Sequence, residues 1–172
     1  MEQKFTNAPV DLDSLPDYQE LTYTKVSVMR MYKAFLVLGL FLIAAVIGLY
    51  FLREVTEVPG LIWGLAFAVL LIFGLLFFFQ IMFQKNMGYA LREHDIAYKR
   101  GFLFEKITLI PFNRIQHIST SAGVLDKLFK IANLNIFTAG GAGSDIDIPG
   151  LTPQIAEKLK DKVANHLTEV DE

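Results

Sequence analysis

Two uninterrupted apolar runs dominate the first half of the chain. Residues 34–52 (AFLVLGLFLIAAVIGLYFL) carry no charge, and residues 61–83 (LIWGLAFAVLLIFGLLFFFQIMF) carry one polar side chain, Gln80. As helices they are about 28 and 34 Å long, the thickness of a hydrocarbon core. Lipid offers no partner to an unpaired backbone group, so runs of this length without alternation are helices. The connecting REVTEVPG at 53–60 leaves room only for a tight turn. The pattern predicts a transmembrane hairpin over 34–83, with spans 34–52 and 61–83, that the lipid bilayer surrounds.

The segments on either side are patterned differently. Residues 1–33 form an N-terminal segment. Its first twenty residues hold five acids, one base and two prolines and read as extended or disordered. Residues 21–33 (LTYTKVSVMRMYK) start as a strand would and end as a helix would. After residue 85 the apolar positions come in short sets bounded by turns: 89–92, 96–100, 106–110, 114–120, 134–138 and 145–148. Ile115 and Ile118 lie three apart, which breaks strict alternation and predicts a bulge. Val124–Ile131 has helical spacing. Thr152-Pro153 opens a final helix, with an N-cap and a proline at the first helical position. Its apolar stripe is Ile155, Ala156, Leu159, Val163 and Leu167. A folded domain over 86–168 and a tail at 169–172 follow. The expectation is α+β: a bent antiparallel sheet closed by a helix.

Charge orients the hairpin. Lys25, Arg30 and Lys33 precede the first span, and Lys85 and Arg92 follow the second. The turn has Arg53 alone, beside Glu54 and Glu57. The excess places both termini in the cytoplasm. The first run starts too far into the chain for a cleaved leader and reads as an uncleaved anchor. The chain has no cysteine, so no disulfide, thiolate or Cys metal site enters. Residues 85–172 hold 11 Lys or Arg and 11 Asp or Glu. That balance speaks against nucleic acid and against a broad field for anionic lipid.

Candidate chemistry is sparse. His94, His117 and His166 are scattered without metal-ligand spacing. Ser119, Thr120 and Ser121 have no nucleophile-elbow context. Gly140-Gly141-Ala142-Gly143 precedes a strand-like DIDI rather than a helix, so it reads as a hairpin turn, not a phosphate loop. Asp145 and Asp147 share a strand face but lack further ligands. No catalytic residue, cofactor or metal is expected. Two features remain. Lys99, Arg100 and Lys106 flank a turn carrying Phe102 and Phe104, the composition of a membrane-contact loop; the blander reading, which the sequence favours, sends this GFLF into the core. Ala44 and Gly48 on one span, and Gly64 and Ala68 on the other, lie at matching depth. They predict close helix packing near the turn and splaying at the inner ends.

Residues 111–141 (PFNRIQHISTSAGVLDKLFKIANLNIFTAGG), followed by IDIPGLTPQIAEKLKDKV at 146–163, resemble the membrane-associated bacterial pleckstrin-homology-like family. The resemblance covers about residues 86–168, and two preceding spans suit its small single-domain members. It implies a seven-stranded, partly open antiparallel barrel with a C-terminal capping helix. Pro111, Arg114, Ile115, Gln116 and Gly140 match its signature, with a structural role favoured over a binding one. At Lys130 the family commonly has Gly. Lysine takes positive φ poorly, which sets this residue against the left-handed turn expected there. The resemblance carries over no catalytic residues, since the family has no established ones, and its members have been linked to envelope stress and to resistance against membrane-active peptides. The resulting expectation is a bacterial inner-membrane protein whose cytoplasmic domain binds a protein partner. A larger membrane protein of the same family is the implied partner, and a homo-oligomer is the other option. The alternative function is a lipid-headgroup sensor.

Overall fold

The computed structural model describes residues 21–138 and 146–170, with side chains through Ala164. The expectations for residues 1–20, Gly140, Asp145, the His166 and Leu167 side chains and residues 171–172 lie outside that description.

The two apolar runs form helices α1 (Met29–Val55) and α2 (Pro59–Lys85). Each is longer than its apolar run because Met29–Lys33 and Gln84–Lys85 continue the helix into the interface. Pro59 opens α2 at a position where its missing N–H costs nothing. Along the hairpin the less exposed residues of α1 include Phe35, Leu38, Leu42, Ala45 and Leu49, a three–four alternation. On α2 they include Ile62, Ala66, Val69, Phe73 and Phe77. These positions form the seam between the two antiparallel helices.

That seam overturns the small-residue expectation. Ala44, Gly48, Gly64 and Ala68 all lie on exposed faces. A Cβ added to Gly48 or Gly64 would meet nothing within 4 Å. The inner ends are held together instead of splayed: the Phe35 and Phe77 rings sit 5.0 Å apart, edge to face, and Arg30 is bonded to Gln84. The spacing of small residues carries no information about the helix face they occupy.

The remaining described residues form seven strands in two antiparallel sheets, with two further helices. The first sheet has the order β1 (Thr24–Lys25), β2 (Gly88–Leu91), β3 (Asp95–Arg100), β4 (Lys106–Pro111). The second has the order β5 (Ile115–Ser121), β6 (Ala132–Thr138), β7 (Ile146–Leu151). A 3-10 turn, Phe112–Arg114, links them. Helix α3 (Val124–Leu128) lies between β5 and β6, and α4 (Pro153–Val170) packs on β5 and β6. The sheets do not close on each other, which is the partly open, PH-like barrel the resemblance implied.

Three local details follow from the residues. The β5–β6 register shifts between Ile115 and His117, so Gln116 is the extra residue of a bulge. The bulge turns both Ile115 and Ile118 inward despite their odd spacing. Lys130 has φ 52°, so the left-handed turn is kept. The Lys130 N–H donates to the Lys127 carbonyl and the Ile131 N–H to the Asp126 carbonyl. These two bonds make the helix-ending motif that normally favours Gly. The expected conflict is resolved by hydrogen bonding that outweighs the steric cost of the lysine.

The third detail is the domain's own beginning. The domain drawn at 86–168 takes its first strand from before the hairpin. Thr24 pairs with Tyr89 and Lys25 with Gly88, and Val26 is part of the core. The core itself runs from Ile96 and Tyr98 through Phe112 to Leu134, Ile136, Ile148 and the α4 residues Ala156, Leu159 and Val163. Ile155, at the edge of the stripe, is half-exposed. Val163→Ala should destabilise the domain by about 1–3 kcal/mol through lost burial and a residual cavity, and so lower the denaturation midpoint. Lys158→Ala, on the exposed face of the same helix, should leave it unchanged. Equal shifts would show that the stripe faces elsewhere.

Candidate functional site

The domain meets the hairpin through a polar seam. Gln84, in the last turn of α2, is 7% exposed. Its amide nitrogen donates to the carbonyls of Val26 (3.0 Å) and Ser27 (3.1 Å), and its amide oxygen accepts from Arg30 Nε at 3.0 Å. The Ser27 N–H in turn donates to the Gly150 carbonyl at 2.7 Å. Gly150 has φ +73°, and a Cβ there would lie 2.8 Å from the Arg30 Cβ. Glycine is what lets β7 approach the start of α1. A second tie runs from Lys33 Nζ to Asp126 Oδ1 at 2.5 Å. Asp126 also accepts from the Gly123 N–H at 3.0 Å, capping α3. Burial would push the Asp126 carboxyl up, but the bonds from Lys33 and Gly123 outweigh it and hold it below the ordinary carboxylate range.

Two apolar projections flank this seam. The first is the 101–105 loop. Gly101 has φ +101°, and a Cβ there would fall 2.0 Å from the Phe104 carbonyl oxygen, so the turn requires glycine. Phe102 rests on the rings of Phe78 and Phe79, each 6.5 Å away. Those residues lie about 9 Å along α2 from Lys85. Phe102 therefore sits at the depth of the span, and Phe104 beside it is 88% exposed. The GFLF stretch does not enter the core, contrary to the favoured expectation, because the glycine turn directs it back along α2. Lys99 pairs with Glu105 at 2.8 Å. The Arg100 guanidinium lies 5.8 Å over the Tyr98 ring. Burial pushes the Tyr98 phenol up to about 12, with Arg100 partly opposing it. Lys106 is exposed at the start of β4. The five loop residues named from sequence are thus gathered at one end of the domain.

The second projection is α3. Val124 is 86% exposed and Leu128 is also well exposed, while Asp126 between them is held by Lys33 on α1. Nothing in the spacing of these residues distinguishes an exposed apolar face from a buried one. Gln84, Arg30, Asp126, Val124 and Leu128 were all missed as contact residues. The available signal was a Gln at the very end of an apolar run and an Asp three residues after Gly123.

The signature residues divide. Ile115 is core and Gln116 is the bulge. Pro111 and Arg114 line an open groove of about 410 Å³ between the sheets, with Thr108, Leu109, Ile110 and Thr138. Leu109 presents its side chain there, 43% exposed. Among the described residues no group of three His, Cys, Asp or Glu could hold a metal ion.

A family model described as "Bacterial PH domain" matches residues 33–167. The UPF0699 transmembrane protein YdbS of Bacillus subtilis (strain 168) is 32% identical over 81 residues, 47% of this chain and 49% of that protein. The UPF0699 transmembrane protein YdbT of the same organism is 28% identical over 85 residues, 49% of this chain and 17% of that protein. The match spans about half the length of the first of these curated relatives and a smaller part of the second. No solved structure matches the chain.

Proposed function

This chain belongs to the bacterial PH domain family, and from that premise we propose that it is a non-enzymatic protein of the bacterial inner membrane whose cytoplasmic PH-like domain binds a protein partner. The observation that carries the reading is the way the domain is seated. It is bonded to both helices through Gln84 and Asp126, and Phe102 of its 101–105 loop packs on α2. A domain fixed in this way presents a defined face to whatever else lies in or on the same membrane. Pro111 and Arg114 converge on an open groove rather than on a titratable cluster, which suits docking and not a reaction. The excess of Lys and Arg at the inner ends supports the cytoplasmic placement.

The partner we favour is a second, larger membrane protein of the same family. The family includes longer members, since 85 matched residues make up only 17% of YdbT. Defence of the envelope against membrane-active peptides is the physiological setting we attach to this pairing. A photoreactive residue at Leu109, in the full chain in native membranes, should crosslink to a larger membrane protein carrying the same domain type. The same residue at Lys158 should not. Adducts to lipid alone from Leu109, or equal yields at the two positions, would remove the groove from the reading.

A further inference from the structure

Beside the hairpin's inner end lies a depression of about 210 Å³. Its wall is assembled from three stretches distant in sequence: Tyr23 and Lys25 at β1, Lys85 and Asn86 where α2 ends, and Lys99 on β3. Gly88 allows the assembly. A Cβ there would lie 3.1 Å from the Thr24 carbonyl oxygen, so glycine lets β1 come up against the exit of α2 and brings Lys25 beside Lys85.

Three lysines thus line one small concavity, although residues 85–172 as a whole balance 11 Lys or Arg against 11 Asp or Glu. Only Lys99 is compensated, by Glu105 at 2.8 Å, and it also lies 5.8 Å from the Tyr23 ring. Neither Lys25 nor Lys85 has a carboxylate within 4.0 Å among the described residues. The depth is set by α2. Lys85 is its last residue, and Phe102 packs farther along it at Phe78 and Phe79. The concavity therefore opens at the level where lipid phosphates lie, beside a loop whose apolar residues reach toward the chains. Cations that merely snorkel from a span end would splay into water separately. Here the strand pairing of β1 with β2 draws them together.

We propose that this depression holds the phosphate of an anionic phospholipid headgroup, with Lys25 and Lys85 as its main partners and Lys99 as a third shared with Glu105. The proposal rests on the domain being seated on the membrane, and it names a ligand class for that seam. The balance of charge over residues 85–172 is no objection, because the positive charge is concentrated locally.

The test uses the full chain in neutral detergent and native mass spectrometry, with phosphatidylglycerol, phosphatidylcholine and inorganic phosphate as probes. Phosphatidylglycerol should be retained in preference to phosphatidylcholine. The double variant K25Q/K85Q should weaken that retention about tenfold, and K158Q/K162Q, equal in charge change but on α4, should not. The single variants K25Q and K85Q should each fall part of the way, and they decide the matter if the double variant does not fold. Unchanged retention in the lysine variants, or an equal loss in the α4 control, would overturn the site. Displacement of the lipid by inorganic phosphate at comparable concentration would assign the site to a free anion and overturn the lipid. The seating is read separately. The chain has no cysteine, so a polarity-sensitive dye on F104C reports lipid or water whatever the lysines do.

Discussion

Phe112→Ala should destabilise the domain by about 3–5 kcal/mol, the range for emptying an aromatic site in a packed core. Phe112 is 0% exposed and stands in the short turn that leads from the first sheet to the second. Its N–H donates to the His94 carbonyl at 2.9 Å, and its turn packs against α4. One ring therefore fills the space where two sheets and a helix converge. The backbone bond holds the turn in place, which limits how far its two ends can close on the cavity. The comparison that gives the result meaning is Phe104→Ala. That ring is exposed on the 101–105 loop, and its loss should change domain stability by about 0.5 kcal/mol or less. The measurement is the denaturation midpoint of the full chain in detergent, followed by near-ultraviolet circular dichroism. If the two alanine variants shift it equally, the division between core and exposed phenylalanines is wrong.

Gln84→Leu should cost about 2–4 kcal/mol, and the loss should appear as a loosening between domain and hairpin. Leucine keeps the volume but leaves the Val26 and Ser27 carbonyls and the Arg30 Nε without the partner they now share. A buried group left unsatisfied costs about 1–3 kcal/mol, and more where it is charged. Local opening and relaxation recover part of that sum, which sets the upper bound. Hydrogen exchange should show it: amides of Ser27 and of β1 should lose protection while those of β6 keep theirs. Gln154→Leu, on the exposed face of α4, is the matching control and should leave both unchanged. Uniform loss of protection across both sheets would mean that Gln84 supports the whole fold rather than the junction.

Much of this structure was legible in the chain because single residues or short patterns have only one physical solution. Continuous apolar runs with an eight-residue link can only be a helical hairpin in lipid. Ile115 and Ile118 three apart on a strand need a bulge, and Gln116 is it. Thr152-Pro153 begins a helix, and the buried Ala156, Leu159 and Val163 follow from its 3.6-residue repeat.

The rest was decided by which surfaces meet. Thr24–Lys25 is too short to announce itself as a strand, and its partner lies beyond both spans, at Gly88–Tyr89. Val124, Leu125 and Leu128 have the spacing of a buried stripe, yet they face outward, because Asp126 on the other side of the turn is bonded to Lys33. Ala44, Gly48, Gly64 and Ala68 have the spacing of a packing motif, yet the seam runs through Phe35, Leu38, Leu42, Ala45 and Leu49. In each case the sequence determined the periodicity of an element. Periodicity leaves open the rotation of that element against its neighbour. That rotation is set by contacts between residues far apart in the chain, here Arg30 with Gln84, Lys33 with Asp126 and Phe102 with Phe78, and only the tertiary structure contains them.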